Sequence, residues 1–235
     1  MAIKLEKILR FGGGSIVRGT VDVKNVVTHT GVSAAEVNAT ITAAKDSGLS
    51  NAYAGVSGRS GADATGHTDA DLAAALFAAY GPGPRGGAIN VTAAAKGEGK
   101  SPSTIKRWLT GKAKPKDENR ARLLANARKA ATTKAGRSKA IAGRRASASG
   151  AKMAKYGAKL IVKGIQGRQG YERDRSVTWD LPPELVDDAL NAYENGGDIG
   201  LADFMADYAN TDAYGNLDDW NVFTFDTVAL DEKSK

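Results

Sequence analysis

The clearest alternation of apolar and polar residues lies in the last third of the chain. In SVTWDL every second residue is apolar (Val177, Trp179 and Leu181), which predicts a strand with one buried face. A Pro-Pro pair ends this strand and opens a helix, and Asn195-Gly196-Gly197 separates that helix from a second one. KLIVKGI predicts an earlier strand and DWNVFTFDTV a final one. Residues 157–228 therefore predict a β-β-α-α-β unit.

Helical spacing and capping residues predict a helix-turn-helix within residues 69–115. Thr68 or Asp69 caps a first helix, and AINVTAAAKG forms a second, short one. Ser101 caps the next helix, PSTIKRWLTG, whose proline takes its favoured first position. The inner face of this helix has three members: Ile105, Trp108 and Leu109. Its polar N-terminal residues then face outward, as in helices that read base edges in the major groove; an ordinary helical hairpin with a charged face is the alternative.

Residues 1–68 give weaker signals, and we assign them no role. A short helix, three glycines and a strand over 15–23 are predicted first. Ser33 and Glu36 form a capping box that opens a helix over 31–48. The rhythm of VVTHTGVSAAEVNATI also fits a helix-turn-helix, but the stretch has almost no positive charge, so a capped helix on a small core is the preferred interpretation. Gly, Ser, Ala and Asp dominate residues 50–68, which predicts a linker.

Charge divides the chain into three blocks. Residues 1–95 have 8 Lys and Arg against 7 Asp and Glu. Residues 96–175 have 23 against 5, a net charge of +18, and residues 176–235 have 2 against 14, a net charge of −12. A basic block that follows a helix-turn-helix pattern indicates a polyanionic partner, and nucleic acid is the usual one.

Most of the basic block follows the helix-turn-helix. Residues 116–156 have helical character but few apolar residues after position 131, so we expect a frayed basic arm, or one that orders on binding, that contacts phosphates. The candidate DNA-binding residues carry cationic or hydroxyl groups: Lys100, Ser103, Thr104, Lys106, Arg107, Lys112, Lys114, Lys116, Arg120, Arg128, Arg137, Arg144 and Arg145. The acidic unit after them is expected to avoid DNA and to contact protein.

Composition argues against several classes of site. The chain has no Cys and only two His, and it lacks Walker, zinc-site and paired-carboxylate spacings. We therefore expect no cofactor, no bound metal and no active site of its own. No apolar run approaches the length of a membrane span, and the N-terminus lacks the h-region of a signal peptide. The expected location is cytoplasmic and nucleoid-associated, with no membrane partner.

The ordered set of motifs over residues 70–228 resembles the telomere-associated terminal proteins of linear actinobacterial replicons. That family has a helix-turn-helix of the form S-x-x-T-V-x-R-Y followed by K-x-x-K-P, then K-A-A-T-T, a GY pair and a strand ending in L-P-P. The corresponding residues here are Ser101, Thr104, Ile105, Arg107, Trp108, Lys112, Pro115, Lys129 to Thr133, Gly170-Tyr171 and Leu181-Pro182-Pro183.

The resemblance implies binding to the ends of linear DNA, and a side-chain hydroxyl that becomes joined to the 5′ nucleotide and primes synthesis. The family's priming threonine lies in a loop that is shortened here to ERDR. Tyr171 and Ser176 are nearby hydroxyls, but neither matches the family's position. A replication or telomere-associated protein is an expected partner.

Two other functions fit the residues. One is a dimeric helix-turn-helix regulator, because the strand-helix-helix part of residues 176–228 is similar to ribbon-helix-helix modules, in which two chains pair a strand. The other is a nucleoid or assembly protein that coats nucleic acid without sequence preference. The predicted fold class is α+β: a mainly helical N-terminal region with the helix-turn-helix at 69–115, a basic helical arm at 116–156, an acidic α+β dimerisation or partner domain at 157–228, and a tail at 229–235.

Overall fold

A computed structural model describes residues 3–84, 89–168, 170–211, 217 and 219–233 of the 235-residue chain. The described residues form a mixed α+β fold, which confirms the predicted class. The helices are α1 (Leu5–Gly12), α2 (Val23–Thr30), α3 (Ala34–Ser57), α4 (Leu72–Tyr80), α5 (Val91–Glu98), α6 (Pro102–Leu109), α7 (Asp117–Thr132), α8 (Lys134–Arg145), α9 (Ala148–Tyr156) and α10 (Pro183–Ala209). The strands are β1 (Ala158–Arg168), β2 (Arg173–Leu181), β3 (Trp220–Val222) and β4 (Thr227–Glu232).

The sheet is antiparallel and is built around β1. Strand β2 pairs with β1 from Ala158↔Leu181 to Gln166↔Arg173. On the other side of β1, β4 pairs with its first half and β3 with its last residues. The predicted alternation in β2 is confirmed, because Trp179 and Leu181 are buried and the residue between them faces solvent.

The C-terminal end of the chain differs from the prediction of one final strand and a tail. The chain leaves the sheet between β3 and β4, where the Thr224 hydroxyl accepts the Ile165 N–H at 2.8 Å. It then returns as β4, so residues 229–232, which we expected to form a tail, pair with β1. The reason is the length of β1: its eleven residues offer hydrogen bonds along a whole edge, and β4 satisfies the half that β3 leaves open.

Two helical halves of α10 meet at Gly197, whose φ of 66° breaks the helical geometry. The predicted helix–break–helix over residues 183–209 is therefore confirmed. Both halves pack their apolar faces inward, with Tyr193 and Met205 fully buried. Helix α10 contacts α8, α9 and α3, so the acidic C-terminal unit lies directly against the basic helices.

The N-terminal region has no strand over residues 15–23, contrary to the prediction. Ser15 to Thr20 form a tight loop closed by a Thr20 N–H to Ser15 O hydrogen bond of 3.0 Å, and α2 starts at Val23. The Thr20 carbonyl lies so close to Gly14 that no Cβ would fit there. Gly14 and Gly19 adopt positive φ, which lets the chain turn back on itself here and form a loop in place of an extended strand.

Helix α3 runs to Ser57, through the first half of the stretch predicted as a linker. Ala52, Tyr53 and Val56 form a buried stripe at helical spacing. The backbone of β4 passes so close to Gly55 that a Cβ there would overlap the Val228 carbonyl. The small residues of this stretch therefore allow a helix to pack closely on a strand.

The basic segment after α7 is also folded, in contrast to the expected frayed arm. Ala140 and Ile141 of α8 and Met153 of α9 are buried in the same apolar cluster as Trp179 of the sheet. That cluster also includes Ile105 of α6. One core thus joins the segments that the sequence pattern separated.

Candidate nucleic-acid interface

Helices α4 to α7 pack together and hold α6 at the surface. Asp71 caps α4, with the Ala74 N–H donating to its carboxylate at 2.9 Å, so the predicted caps Thr68 and Asp69 are wrong. Ser101 caps α6 as predicted, accepting the Thr104 N–H at 3.2 Å. Ile105 and Trp108 are buried beneath the helix and Leu109 is half-buried. The inner face of α6 is therefore as predicted.

The outward side of α6 carries the polar residues that the sequence indicated. Ser103, Lys106 and Arg107 are exposed, and Thr104 is half-buried beside the cap, with its hydroxyl 2.9 Å from the Ser101 hydroxyl. After Gly111 the loop to α7 exposes three lysines: Lys112, Lys114 and Lys116. We call these six exposed residues, from Ser103 to Lys116, the α6 surface.

The cations of the α6 surface have no acidic partner among the described residues. The surrounding sequence supplies none either, because no Asp or Glu occurs from Gly99 to Lys116. Lys100, another candidate, is half-buried in the turn between α5 and α6, where its N–H donates to the Ala95 carbonyl at 2.9 Å. The geometry thus combines a capped helix with a local positive field.

Two of the candidate arginines, Arg120 and Arg128, tie α7 to α3 and to the residues that follow it. The Arg120 guanidinium donates to the carbonyls of Thr68 and Ala70 at 2.8 and 2.7 Å. Arg128 donates to the Asp46 carboxylate at 2.6 Å, and His67 bonds the other Asp46 oxygen at 2.9 Å. Burial opposes ionisation of Asp46, but these hydrogen bonds outweigh it and lower its pKa.

Arg137 connects the basic helices to the kink in α10. Its guanidinium is buried and donates to the carbonyls of Glu194 and Asn195, both at 3.0 Å. It also donates to the carbonyls of Ala131 and Thr132, at 3.1 and 3.0 Å, at the end of α7. Because two of these carbonyls are in α10 and two are at the end of α7, Arg137 holds the α7–α8 corner against α10.

Arg144 and Arg145 also serve the fold. Arg145 pairs with Asp187 at 2.8 Å and with Glu194 at 2.9 Å, and hydrogen bonds from Ser138 and Arg145 lower the pKa of Glu194. Arg144 donates to the Leu230 carbonyl of β4, and its burial lowers the pKa of its guanidinium. We predicted that five arginines after position 116 contact DNA. In the structure, the guanidinium of each of them donates hydrogen bonds to a carboxylate or a carbonyl of the protein itself.

The two candidate priming hydroxyls lie on the β1–β2 hairpin. Tyr171 is 72% exposed in the turn between the strands. Ser176 is exposed on β2, opposite Lys163 of β1. In the described part of the chain, no cluster of three or more His, Asp or Glu that could hold a metal ion occurs near these hydroxyls or elsewhere.

One buried cation, Arg59, was not indicated by any sequence pattern. It lies in the stretch predicted as a linker, yet it is only 7% exposed and donates to the Tyr53 hydroxyl and the Ala78 carbonyl. A single Arg among Gly, Ser and Ala has no pattern that marks it as buried. Only the packing of α3 against α4 reveals its position.

Comparison with family models, with curated proteins and with solved structures finds no match to this chain. Over the ranges that the structure covers, no helix combines the length and apolar character that a membrane span needs.

Proposed function

We propose that the protein binds double-stranded DNA and that α6 reads base edges in the major groove. The observation that carries this proposal is the α6 surface: a short, capped helix that exposes Ser103, Lys106 and Arg107 while its apolar side is buried. Arg and Lys are the side chains that most often recognise guanine, through its O6 and N7 atoms. The loop lysines 112, 114 and 116 are suited to contact phosphates next to the groove.

The distribution of paired and unpaired cations supports this assignment. The candidate arginines of α7 and α8 donate to carboxylates and backbone carbonyls, so these hydrogen-bond donors are already used within the protein. The α6 surface keeps its cations free for phosphates and bases. We therefore assign DNA contact to residues 103–116 rather than to the whole basic block.

The test begins with selection of duplexes from a random library, followed by measurement of affinity for the selected site and for random DNA at one fixed salt concentration. The double variant Lys106→Ala/Arg107→Ala is expected to bind the selected site more weakly, by about 1–3 kcal/mol for each side chain that reads a base. Its affinity for random DNA should change less, so the specificity ratio falls.

The matched control is Lys7→Ala/Lys24→Ala, which removes the same charge from exposed positions on α1 and α2, where neither lysine forms an ion pair with a described residue. It should leave the specificity ratio unchanged. Equal losses of affinity in both double variants would contradict a reading role for α6 and would favour binding without sequence preference. Selection of a palindromic site would favour the dimeric regulator.

The resemblance to terminal proteins supports a narrower proposal, that the DNA bound is the end of a linear replicon. A reachable hydroxyl for a covalent link is available at Tyr171, whose side chain is 72% exposed, and a second at Ser176. Protein recovered from cells under denaturing conditions should then carry DNA that a nuclease removes. One of the two variants Tyr171→Phe and Ser176→Ala, the one that removes the linked hydroxyl, should abolish this adduct. Protein free of DNA after denaturation would refute the covalent role and leave reversible binding intact.

A further inference from the structure

A pocket of about 290 Å³ opens between the end of α4, α5, the end of α7 and the start of α8. Its polar lining consists of Arg59, Tyr80, Asn126, Lys129, Thr133 and Lys139. No carboxylate is among the lining residues, although the chain has 26 acidic residues. The pocket is separate from the α6 surface, and none of its lining residues was a predicted DNA contact.

Arg59 is the buried cation of this pocket. Its Nη1 donates to the Tyr53 hydroxyl at 2.5 Å and to the Ala78 carbonyl at 2.6 Å. Within the described residues, its Nε and Nη2 groups make no hydrogen bond, and no carboxylate pairs with it. Gly81 lies beside this free edge, and a Cβ at that position would press on Nη2 and Nε. The Nε and Nη2 groups therefore have no acceptor among the described residues, in a buried position where an unpaired charge is costly.

Two rim lysines and the N-terminal end of a helix make the pocket attractive to an anion. Lys129 and Lys139 lie at its rim, and neither forms an ion pair with a described residue. Helix α8 begins at the pocket, where Thr133 caps it by accepting the Gly136 N–H at 3.1 Å. The N-terminal end of a helix carries a partial positive charge and unpaired N–H groups.

The Glu98 carboxylate, which is bonded by two of the lining side chains, does not cancel this positive field. Glu98 lies behind Tyr80 and Asn126, whose side chains donate to its Oε1 at 2.6 and 3.0 Å. Its Oε2 accepts from Arg122 at 3.1 Å, so that arginine compensates its charge. Burial and the Glu98 carboxylate both raise the pKa of Tyr80, which keeps the phenol protonated as a donor to Glu98.

We propose that this pocket binds the phosphate group of a small phosphorylated molecule, with Arg59 as the buried bidentate partner and Lys129 and Lys139 at the rim. Guanidinium geometry matches two phosphate oxygens, whereas a lysine acts as a point charge. The phosphates of a duplex lie on a convex surface and do not reach a guanidinium that is 7% exposed, whereas inorganic phosphate or a phosphate monoester can. The proposal is independent of the role of α6 in DNA binding.

The experiment uses the full-length protein with inorganic phosphate, adenosine monophosphate and, as the arm without phosphate, adenosine. Thermal unfolding and calorimetry are expected to show a rise in Tm and saturable binding with both phosphate compounds, and neither effect with adenosine. Tighter binding of the nucleotide than of phosphate assigns the site to an organic phosphate, and equal binding assigns it to the free ion. Both results support the site, and no binding of either anion would overturn it.

Variants connect the binding to these residues. Lys129→Ala/Lys139→Ala, both on the rim and suited to substitution without loss of the fold, should weaken phosphate binding about tenfold, which corresponds to about 1.4 kcal/mol. Lys7→Ala/Lys24→Ala, which removes the same charge from exposed, unpaired lysines on α1 and α2, should stay within about twofold of the parent. Equal weakening in both double variants, or displacement of phosphate by a duplex without 5′ phosphates, would refute the proposal. Arg59→Gln should abolish binding if it folds, and the lysine pair decides the question if it does not.

Discussion

Replacing Arg137 by alanine should destabilise the whole fold, although the sequence pattern marks this residue as a DNA contact. The side chain joins the α7–α8 corner to the kink of α10 through four backbone carbonyls at 3.0–3.1 Å. Two of these acceptors lie 57 and 58 residues away along the chain. Without the guanidinium, the α10 carbonyls beside Gly197 lose their donors inside the protein.

The magnitude follows from the number and kind of these bonds. A hydrogen bond to a charged group contributes about 1.5–3 kcal/mol, and an unsatisfied buried acceptor costs about 1–3 kcal/mol. The carbonyls of Ala131 and Thr132 end a helix and regain water more easily than those of the kink, so the four contributions do not add fully. We expect a loss of about 3–5 kcal/mol in the free energy of unfolding. For a chain of this length that lowers Tm by roughly 10 °C.

Urea unfolding followed by far-UV circular dichroism measures this loss. Arg137→Lys keeps the charge but lacks the planar fork, so it should recover only part of the stability. Lys134→Ala is the matched control, because Lys134 is exposed on the same helix, and its effect should stay within about 0.5 kcal/mol.

Two outcomes bear directly on the reasoning. If Arg137→Ala unfolds at the same urea concentration as Lys134→Ala, the guanidinium does not hold the corner and our account of the α8–α10 packing is wrong. If instead its stability is unchanged while its affinity for DNA falls, Arg137 contacts DNA as the sequence pattern suggested.

Two smaller predictions concern the Arg128–Asp46 pair and the α6 cap. The pKa of Asp46 is lowered in the folded state, so its stabilising effect is present above the unfolded pKa of about 3.9 and is lost as pH falls through the folded value. The Tm difference between the parent and Asp46→Asn should therefore be largest near neutral pH and shrink below pH about 4; a difference that stays constant with pH would count against the carboxylate. Ser101→Ala should cost about 1 kcal/mol in urea unfolding, and an unchanged midpoint would show that the cap does not stabilise α6.

Elements with strong local signals were predictable from the sequence. Ser101 and the following proline define the start of α6, the alternation around Trp179 defines β2, and Gly197 breaks α10. In each case the residues that specify the element lie within it or next to it, so no knowledge of distant partners is needed. The outward side of α6 was predictable for the same reason.

Elements that depend on distant packing were not predictable. The sequence pattern assigns Gly55 to a linker. A glycine occurs both in open loops and in close helix–strand contacts, so the residue type alone does not separate the two. The neighbour of Gly55 in space, Val228, is in β4, and nothing near position 55 indicates it. Gly157 is similar, because a Cβ there would overlap the Leu181 carbonyl at the end of β2.

The same limit applies to charge. From the sequence alone, Arg145 is one more cation of the basic block. The fold places it against Asp187 and Glu194, which are 42 and 49 residues away along the chain. Pairing of this kind needs the topology, since any of the basic residues could have met those carboxylates. The candidate DNA contacts along α7 and α8 therefore already have partners within the fold, which are carboxylates for Arg128 and Arg145 and backbone carbonyls for the other three arginines.

The placement of the unpaired cations decides where a polyanion can bind. The acidic block is packed on the basic helices through α8 and α10, so the two opposite charges of the sequence partly cancel within the fold. From Lys106 to Lys116, however, five cations occur in eleven residues without one carboxylate. An exposed field of this kind acts over about one Debye length, roughly 8–10 Å at physiological salt, so Asp117 and Glu118 at the start of α7 offset part of it beside Lys116. The attraction for DNA should therefore be concentrated on α6 and the loop that follows it, where the capped helix also presents the side chains that can read bases.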